Sequence, residues 1–155
     1  MPASAKPRKF PGEPIQGEAA MFESRDFREV WAPRLLSIVR ILLGLLYMQH
    51  GLSKYFGFPA APPQNFEVFS LIGLAGAIEM IGGLMVALGI YTRWAAFIVS
   101  GEMAVAYFIA RHRWSVSFFP AVNSGQLEAV YSLFFFTFFL VGGGAWSLDR
   151  LRKIP

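Results

Sequence analysis

Four long apolar segments, separated by short connections rich in glycine and proline, constrain the fold of this chain more than any other feature. They cover about residues 34–56, 70–90, 94–111 and 125–145, and a helix needs about 20 residues to cross the hydrocarbon of a bilayer. The segments are apolar around most of their circumference, which disfavours helices of a soluble bundle. The alternating ten-residue pattern of a membrane barrel is absent from the sequence. The sequence therefore predicts an all-α integral membrane four-helix bundle.

The distribution of charge supports this prediction and suggests an orientation. Charged residues make up 15% of the chain, whereas soluble domains average about 25%. Lysine and arginine gather on the cytoplasmic flanks of membrane helices. If the four segments cross the membrane, most cations fall on one side, which holds Lys6, Arg8, Lys9, Arg25, Arg28, Arg34, Arg93, Arg150, Arg152 and Lys153. We therefore expect both termini in the cytoplasm. The basic balance indicates contact with anionic lipid headgroups and predicts no nucleic-acid partner.

The two ends of the chain differ from its apolar middle. Residues 1–32 mix proline, glycine and both charge signs, which predicts a flexible cytoplasmic N-terminal tail. An alternative is a short interfacial helix built on the aromatic residues Phe22, Phe27 and Trp31. No compact apolar core of a cleavable signal is present in the tail, so the first segment would act as the insertion signal. Residues 33–150 form the predicted membrane domain, and 151–155 a short basic C-terminal tail.

The first apolar segment carries polar residues along one face. Arg40, Gly44, Tyr47, Gly51 and Lys54 are spaced four, three, four and three residues apart, which places them on one side of a helix. The glycines allow a neighbouring helix to approach closely. Because a charge at mid-bilayer costs about 2.5–3.5 kcal/mol on insertion scales, this face is expected to point into the bundle.

Matching residues by their depth along each helix predicts which charges meet. The expected contacts are a buried ion pair of Arg40 with Glu102, an ion pair of Lys54 with Glu128, and Glu79 beside His50. Three carboxylates then face two permanent cations, so one carboxylate must share a cation, be protonated or meet a charged histidine. These contacts either fix the helix register or form a polar site for a ligand, a quinone or a proton. The candidates for that site are Glu79, His50, Lys54 and Glu128.

Several kinds of site are disfavoured by the residue inventory. The chain has no cysteine, which excludes disulfides and thiolate metal sites. A metal or haem site on the two histidines, His50 and His112, is disfavoured because they lie on separate segments. The glycines around Glu79 indicate helix packing rather than a phosphate loop, since no strand precedes them. We therefore predict no metal and no evident cofactor beyond a quinone.

The order of these motifs resembles the DoxX family. The likeness covers about residues 35–150, and it comprises RILLG at 40–44, HGLSK at 50–54, GAIEMIGG at 76–83, LGIYTR at 88–93, Glu102 with Met103 and Ala106, Asn123 with Glu128, GGG at 142–144 and SLD at 147–149. The resemblance implies a multi-pass protein of four helices in the bacterial inner membrane. It also implies a link to quinone chemistry, because the family takes its name from a subunit associated with a terminal quinol oxidase and thiosulfate oxidation.

Three functions follow from the residues and the resemblance together. The first is an accessory subunit linked to quinone or respiratory redox chemistry, with a membrane redox partner. The second is a small homo-oligomeric transporter or proton pathway that uses buried carboxylates. The third is a structural partner of another membrane protein. A stand-alone enzyme is disfavoured because no nucleophile–base set or metal constellation is visible in the sequence.

Overall fold

The computed structural model describes residues 27–64, 66–109 and 117–152. A π-helical turn at Phe27–Trp31 comes first. The helices that follow are α1 (Ala32–Phe56), α2 (Leu71–Leu88), α3 (Thr92–Ile109), the short α4 (Pro120–Asn123), α5 (Gln126–Val141) and the short α6 (Leu148–Leu151). No strand occurs among the described residues, so the all-helical part of the prediction is confirmed. The predicted N-terminal tail comprises residues 1–32, of which 1–26 lie outside the described residues.

Local sequence signals explain where the second long helix begins and where the fourth ends. The hydroxyl of Ser70 accepts a hydrogen bond from the Gly73 amide at 3.1 Å, which caps the start of α2. The apolar run of the fourth segment predicts a helix to residue 145, but α5 ends at Val141. Gly142 follows with φ 91°, a backbone conformation that residues with a side chain rarely adopt. The glycine run therefore stops the helix at its first member.

Helices α1 and α2 are antiparallel and pack closely through glycines. A Cβ atom built on Gly44 would lie 2.7 Å from the Ala87 amide nitrogen and 2.8 Å from the Gly83 carbonyl oxygen. Seven residues further along α1, a Cβ atom on Gly51 would meet the carbonyl oxygen of Gly76, seven residues earlier on α2. The glycine face of the first segment thus lies against a neighbouring helix, as the spacing predicts.

The core lies where α1, α3 and α5 meet. Tyr47 of α1 is fully buried, and its ring contacts Phe135 edge-on at a centroid distance of 4.9 Å and Tyr131 at 5.7 Å. Helices α3 and α5 are also joined by a hydrogen bond of 2.8 Å from the Ser100 hydroxyl to the Ser132 carbonyl oxygen. Aromatic side chains of α5 therefore pack against a buried phenol whose hydroxyl must find a partner inside the protein.

The length and composition of some of the helices fit them to cross a membrane. Among the described helices, Phe27–Phe56 and Leu71–Leu88 are long and apolar enough to span a bilayer, and Gln126–Val141 is apolar but shorter. The outer surface carries many large apolar side chains that are about half exposed, including Leu42, Leu46, Leu84, Ile98 and Leu140. Such an exterior is stable in an apolar solvent and unfavourable in water.

The segment after α5 binds back onto the α2–α3 turn. The Asp149 carboxylate accepts hydrogen bonds from the amides of Tyr91 at 2.6 Å and Thr92 at 2.7 Å, and from the Thr92 hydroxyl at 2.7 Å. The Asp149 amide donates to the Gly89 carbonyl oxygen at 2.9 Å. Asp149 therefore satisfies amides at the start of α3, where a negative charge is also favoured by the helix dipole.

Candidate ligand-binding pocket

A pocket of about 740 Å³ opens between α2 and α3. Each of the four long helices contributes one charged residue to its lining: Lys54, Glu79, Glu102 and Glu128. The remaining lining is apolar, with Leu71, Ile72, Leu74, Ala75 and Ile78 from α2 and Ile98, Met103, Val105, Ala106 and Ile109 from α3. The pocket thus combines a charged floor with aliphatic walls.

Lys54 and Glu79 form an ion pair in this pocket in which the ammonium contacts both carboxylate oxygens. The Lys54 ammonium lies 2.7 Å from Oε1 and 2.6 Å from Oε2 of Glu79, and the two side chains are 20% and 5% exposed. Gly76 leaves room for the lysine stem, because a Cβ atom there would lie 3.1 Å from Cδ of Lys54, closer than ordinary van der Waals contact. The lysine stem therefore runs over a glycine and reaches a carboxylate one turn further along α2.

This geometry corrects the predicted pairing of Lys54 with Glu128. The prediction matched the two residues by the depth of their backbone positions. A lysine side chain can extend along the helix axis from its own Cα atom, so backbone depth does not fix where its ammonium lies. The ammonium binds Glu79 instead, while Glu128 lines the same pocket from α5.

The predicted ion pair of Arg40 with Glu102 is also wrong. The fully buried Arg40 guanidinium donates to the carbonyl oxygens of Val86 at 3.0 Å and Trp146 at 3.1 Å. Val86 lies in the last turn of α2, where carbonyls lack partners within the helix and the dipole favours a cation. Arg40 is therefore held by backbone oxygens near the α2–α3 turn, away from the pocket.

Glu102 is bound by a phenol. The Tyr47 hydroxyl donates to Oε2 of Glu102 at 2.6 Å. The sequence placed Tyr47 on the polar face of α1 by its spacing, but its role was missed because tyrosine is common in apolar cores. The signal for this role is the position of Tyr47 between two cations on the polar face of α1, which indicates that its hydroxyl has a polar partner.

His50 lies on α1 beside α5. Its ring is perpendicular to that of Tyr131 at a centroid distance of 6.0 Å, and it interacts electrostatically with Lys54 and Glu128. The sequence predicts Glu79 near His50, but the bonded partner of Glu79 is Lys54. The other histidine, His112, lies outside the described residues.

The four charges of the pocket act on one another. Glu102 interacts electrostatically with Glu79, Lys54 and Glu128. The structure thus brings together Lys54, Glu79, Glu102 and Glu128 from the predicted site residues and leaves Arg40 outside the group. In an apolar surrounding such interactions are weakly screened, so a ligand that binds one member of the group affects the others.

The apolar exterior, the helices able to cross a bilayer and the interior charges define a helical membrane protein. Residues 35–112 match the DoxX family profile, and the chain belongs to the DoxX family, as its motifs predict. This region contains three of the four pocket charges: Lys54, Glu79 and Glu102.

Two relatives support the assignment to the family. The chain is 37% identical over 125 residues to an uncharacterized protein of Haemophilus influenzae, and this alignment covers 79% of the chain and 93% of the relative. It is 26% identical over 155 residues to an uncharacterized membrane protein of Mycobacterium tuberculosis, with 88% and 91% covered. No solved structure is significantly similar to this chain.

Proposed function

We propose that this protein crosses the bacterial inner membrane as a four-helix bundle with both termini in the cytoplasm, and that its pocket binds a quinone. In this proposal it is an accessory subunit of a membrane redox system rather than a stand-alone enzyme. The observation that carries the proposal is the pocket between α2 and α3, with aliphatic walls and a charged floor.

The walls of the pocket suit a ligand that arrives from the bilayer. Leu74, Ile98 and Val105 line the pocket and are 58%, 55% and 54% exposed. Their exposed surfaces would contact lipid, so a ligand tail can pass between lipid and pocket without crossing water. The volume of about 740 Å³ lies within the range of roughly 300–1,000 Å³ typical of small-molecule sites.

The floor of the pocket offers both kinds of hydrogen-bonding group to a ligand head. An ammonium has three N–H donors, and Lys54 uses two of them on Glu79. The third can bind a ligand oxygen, while the carboxylates accept from hydroxyls. A quinone head has oxygens at two opposite positions of its ring and a long apolar tail, which fits this division between floor and walls.

Purification tests the proposal directly. The protein is extracted in mild detergent, and bound quinones and co-purifying proteins are identified by mass spectrometry. We expect a bound quinone that Ala75→Phe removes, because Ala75 lines the pocket. Leu84→Phe is the matched control, since Leu84 lies on the same helix, is 46% exposed and does not line the pocket. A protein that carries no quinone and binds none when it is supplied would refute the proposal.

The second candidate is a small homo-oligomeric transporter or proton pathway. The convergence of Lys54, Glu79, Glu102 and Glu128 from four helices favours it, because intramembrane charges commonly mark ion pathways. Four helices are few for a transporter, so several copies would be required. Proton flux in vesicles that contain the purified protein and no quinone would favour this function, and a purely structural partner would show neither flux nor quinone.

A further inference from the structure

Glu79 and Glu102 both accept hydrogen bonds in the pocket, but they differ in how many of their carboxylate oxygens do so. Both oxygens of Glu79 bind the Lys54 ammonium. Only Oε2 of Glu102 is engaged, by the Tyr47 hydroxyl. Among residues 27–64, 66–109 and 117–152, no group donates a hydrogen bond to Oε1 of Glu102. Glu102 therefore presents an acceptor to the pocket that Glu79 does not.

Tyr47 fixes the orientation of this acceptor. Its side chain is fully buried, and its ring packs edge-on against Tyr131 and Phe135, two rings that stack on each other along α5. A fully buried ring leaves its hydroxyl little freedom of position. The bond of 2.6 Å to Glu102 therefore keeps the carboxylate in one orientation, with its other oxygen available to a bound molecule.

We infer that Glu102 is the specificity-determining residue of the pocket, that Tyr47 positions it, and that it selects a neutral ligand head that presents a hydroxyl group. This inference rests on the proposed function, since it specifies which form of a lipid-soluble ligand the pocket binds more tightly. A hydroxyl donates to Oε1 of Glu102. A carbonyl at the same place would bring its oxygen against Oε1 of Glu102, and because both atoms are acceptors neither would receive a hydrogen bond.

The charges of the pocket and the route through lipid argue for a neutral head. An anionic head would lie close to three carboxylates, where like charges repel and screening is weak. A cationic head would carry a permanent charge out of water to reach the pocket from the bilayer. A hydroxyl-bearing ring avoids both costs, and a second hydroxyl can accept from the remaining N–H of Lys54.

The test compares two molecules that share a decyl tail and differ in the head, with decylammonium as a cationic probe of the same tail. Decyl-hydroquinone and decyl-quinone are titrated anaerobically into the purified protein in detergent, and binding is measured by calorimetry. We expect the hydroquinone to bind at least about tenfold more tightly. In Glu102→Gln the ratio should fall to about one, because an amide can both donate and accept. Tyr47→Phe should lower the ratio while the tail still binds.

The controls separate this inference from the proposed function. Thr137→Val serves as the matched variant, because the Thr137 hydroxyl bonds only to its own helix; its ratio should equal that of the wild type. If the wild type binds both molecules equally, prefers the quinone or prefers decylammonium, the inference is wrong and the pocket remains a site for lipid-soluble ligands. An unchanged ratio in Glu102→Gln, or in Tyr47→Phe if the first variant does not fold, also overturns it. If none of the probes binds, the proposed function itself fails.

Discussion

The close contact of α1 with α2 at Gly44 gives the sharpest stability prediction. In Gly44→Ala the new methyl group would lie 2.7 Å from the Ala87 nitrogen, 2.8 Å from the Gly83 oxygen and 2.9 Å from the Ala87 Cα atom. All three are backbone atoms, so no side chain can rotate away. Ordinary contact begins at 3.4 Å, and the two helices must therefore separate by about 0.7 Å.

The cost of this separation can be estimated from what overpacking does elsewhere. Inserting a methylene into a well-packed interior costs about 1–3 kcal/mol, which corresponds to a fall of roughly 3–10 °C in the melting midpoint of a domain of this size. The midpoint is measured in detergent by the loss of the monodisperse peak after heating. Gly101→Ala is the matched control, because Gly101 lies in α3 and no atom lies within 4 Å of its added methyl group.

The comparison of the two variants decides the argument. We expect Gly44→Ala to melt well below the wild type and Gly101→Ala to melt at or slightly above it, because alanine without a clash favours a helix over glycine. If both variants melt with the wild type, α1 and α2 do not approach each other as closely as their glycines indicate. Equal losses in both would point instead to a general effect of replacing glycine.

Three further outcomes are expected. Lys54→Met should destabilise the protein by about 2–4 kcal/mol, because it leaves Glu79 buried without its cation. The double exchange of Lys54→Glu with Glu79→Lys should recover part of this loss. A Lys54→Met variant as stable as the wild type would contradict the ion pair. Asp149→Ala should cost about 1–2 kcal/mol through loss of the bonds that cap α3, and an unchanged melting midpoint would contradict that role. A cysteine at Ala60 should react with an impermeant thiol reagent from outside the cell and a cysteine at Ser4 should not, whereas the reverse pattern would overturn the proposed orientation.

Sequence reasoning succeeded where the outcome depends on periodicity. The spacing of Arg40, Gly44, Tyr47 and Gly51 placed them on one face of a helix, and all four are buried. Apolar runs located the long helices, because a chain that lacks polar side chains must satisfy its backbone bonds internally. The glycine run at 142–144 correctly indicated the end of α5, whereas the apolar run overestimated its length by continuing to residue 145, because backbone conformation rather than hydropathy stops the helix at Val141.

The contacts within the site were harder to predict. Depth along a helix ranks backbone positions, but side chains extend several ångströms from them. Lys54 bends over Gly76 to reach Glu79, and this path depends on a missing side chain on another helix. Arg40 was assigned a carboxylate, although backbone carbonyls at a helix end can hold a guanidinium. The sequence thus predicted charged residues that the structure brings to one pocket, but it paired them wrongly.

The contact between Trp146 and Arg40 has a consequence for how the protein is made. Trp146 and Asp149 are synthesised after all four long helices, yet they supply one of the two carbonyl oxygens that Arg40 binds and the carboxylate that caps α3. A nascent chain that has not reached them holds a guanidinium among apolar groups with part of its bonding missing. A chain that ends before Trp146 therefore lacks these bonds, and its Arg40 guanidinium is short of an acceptor.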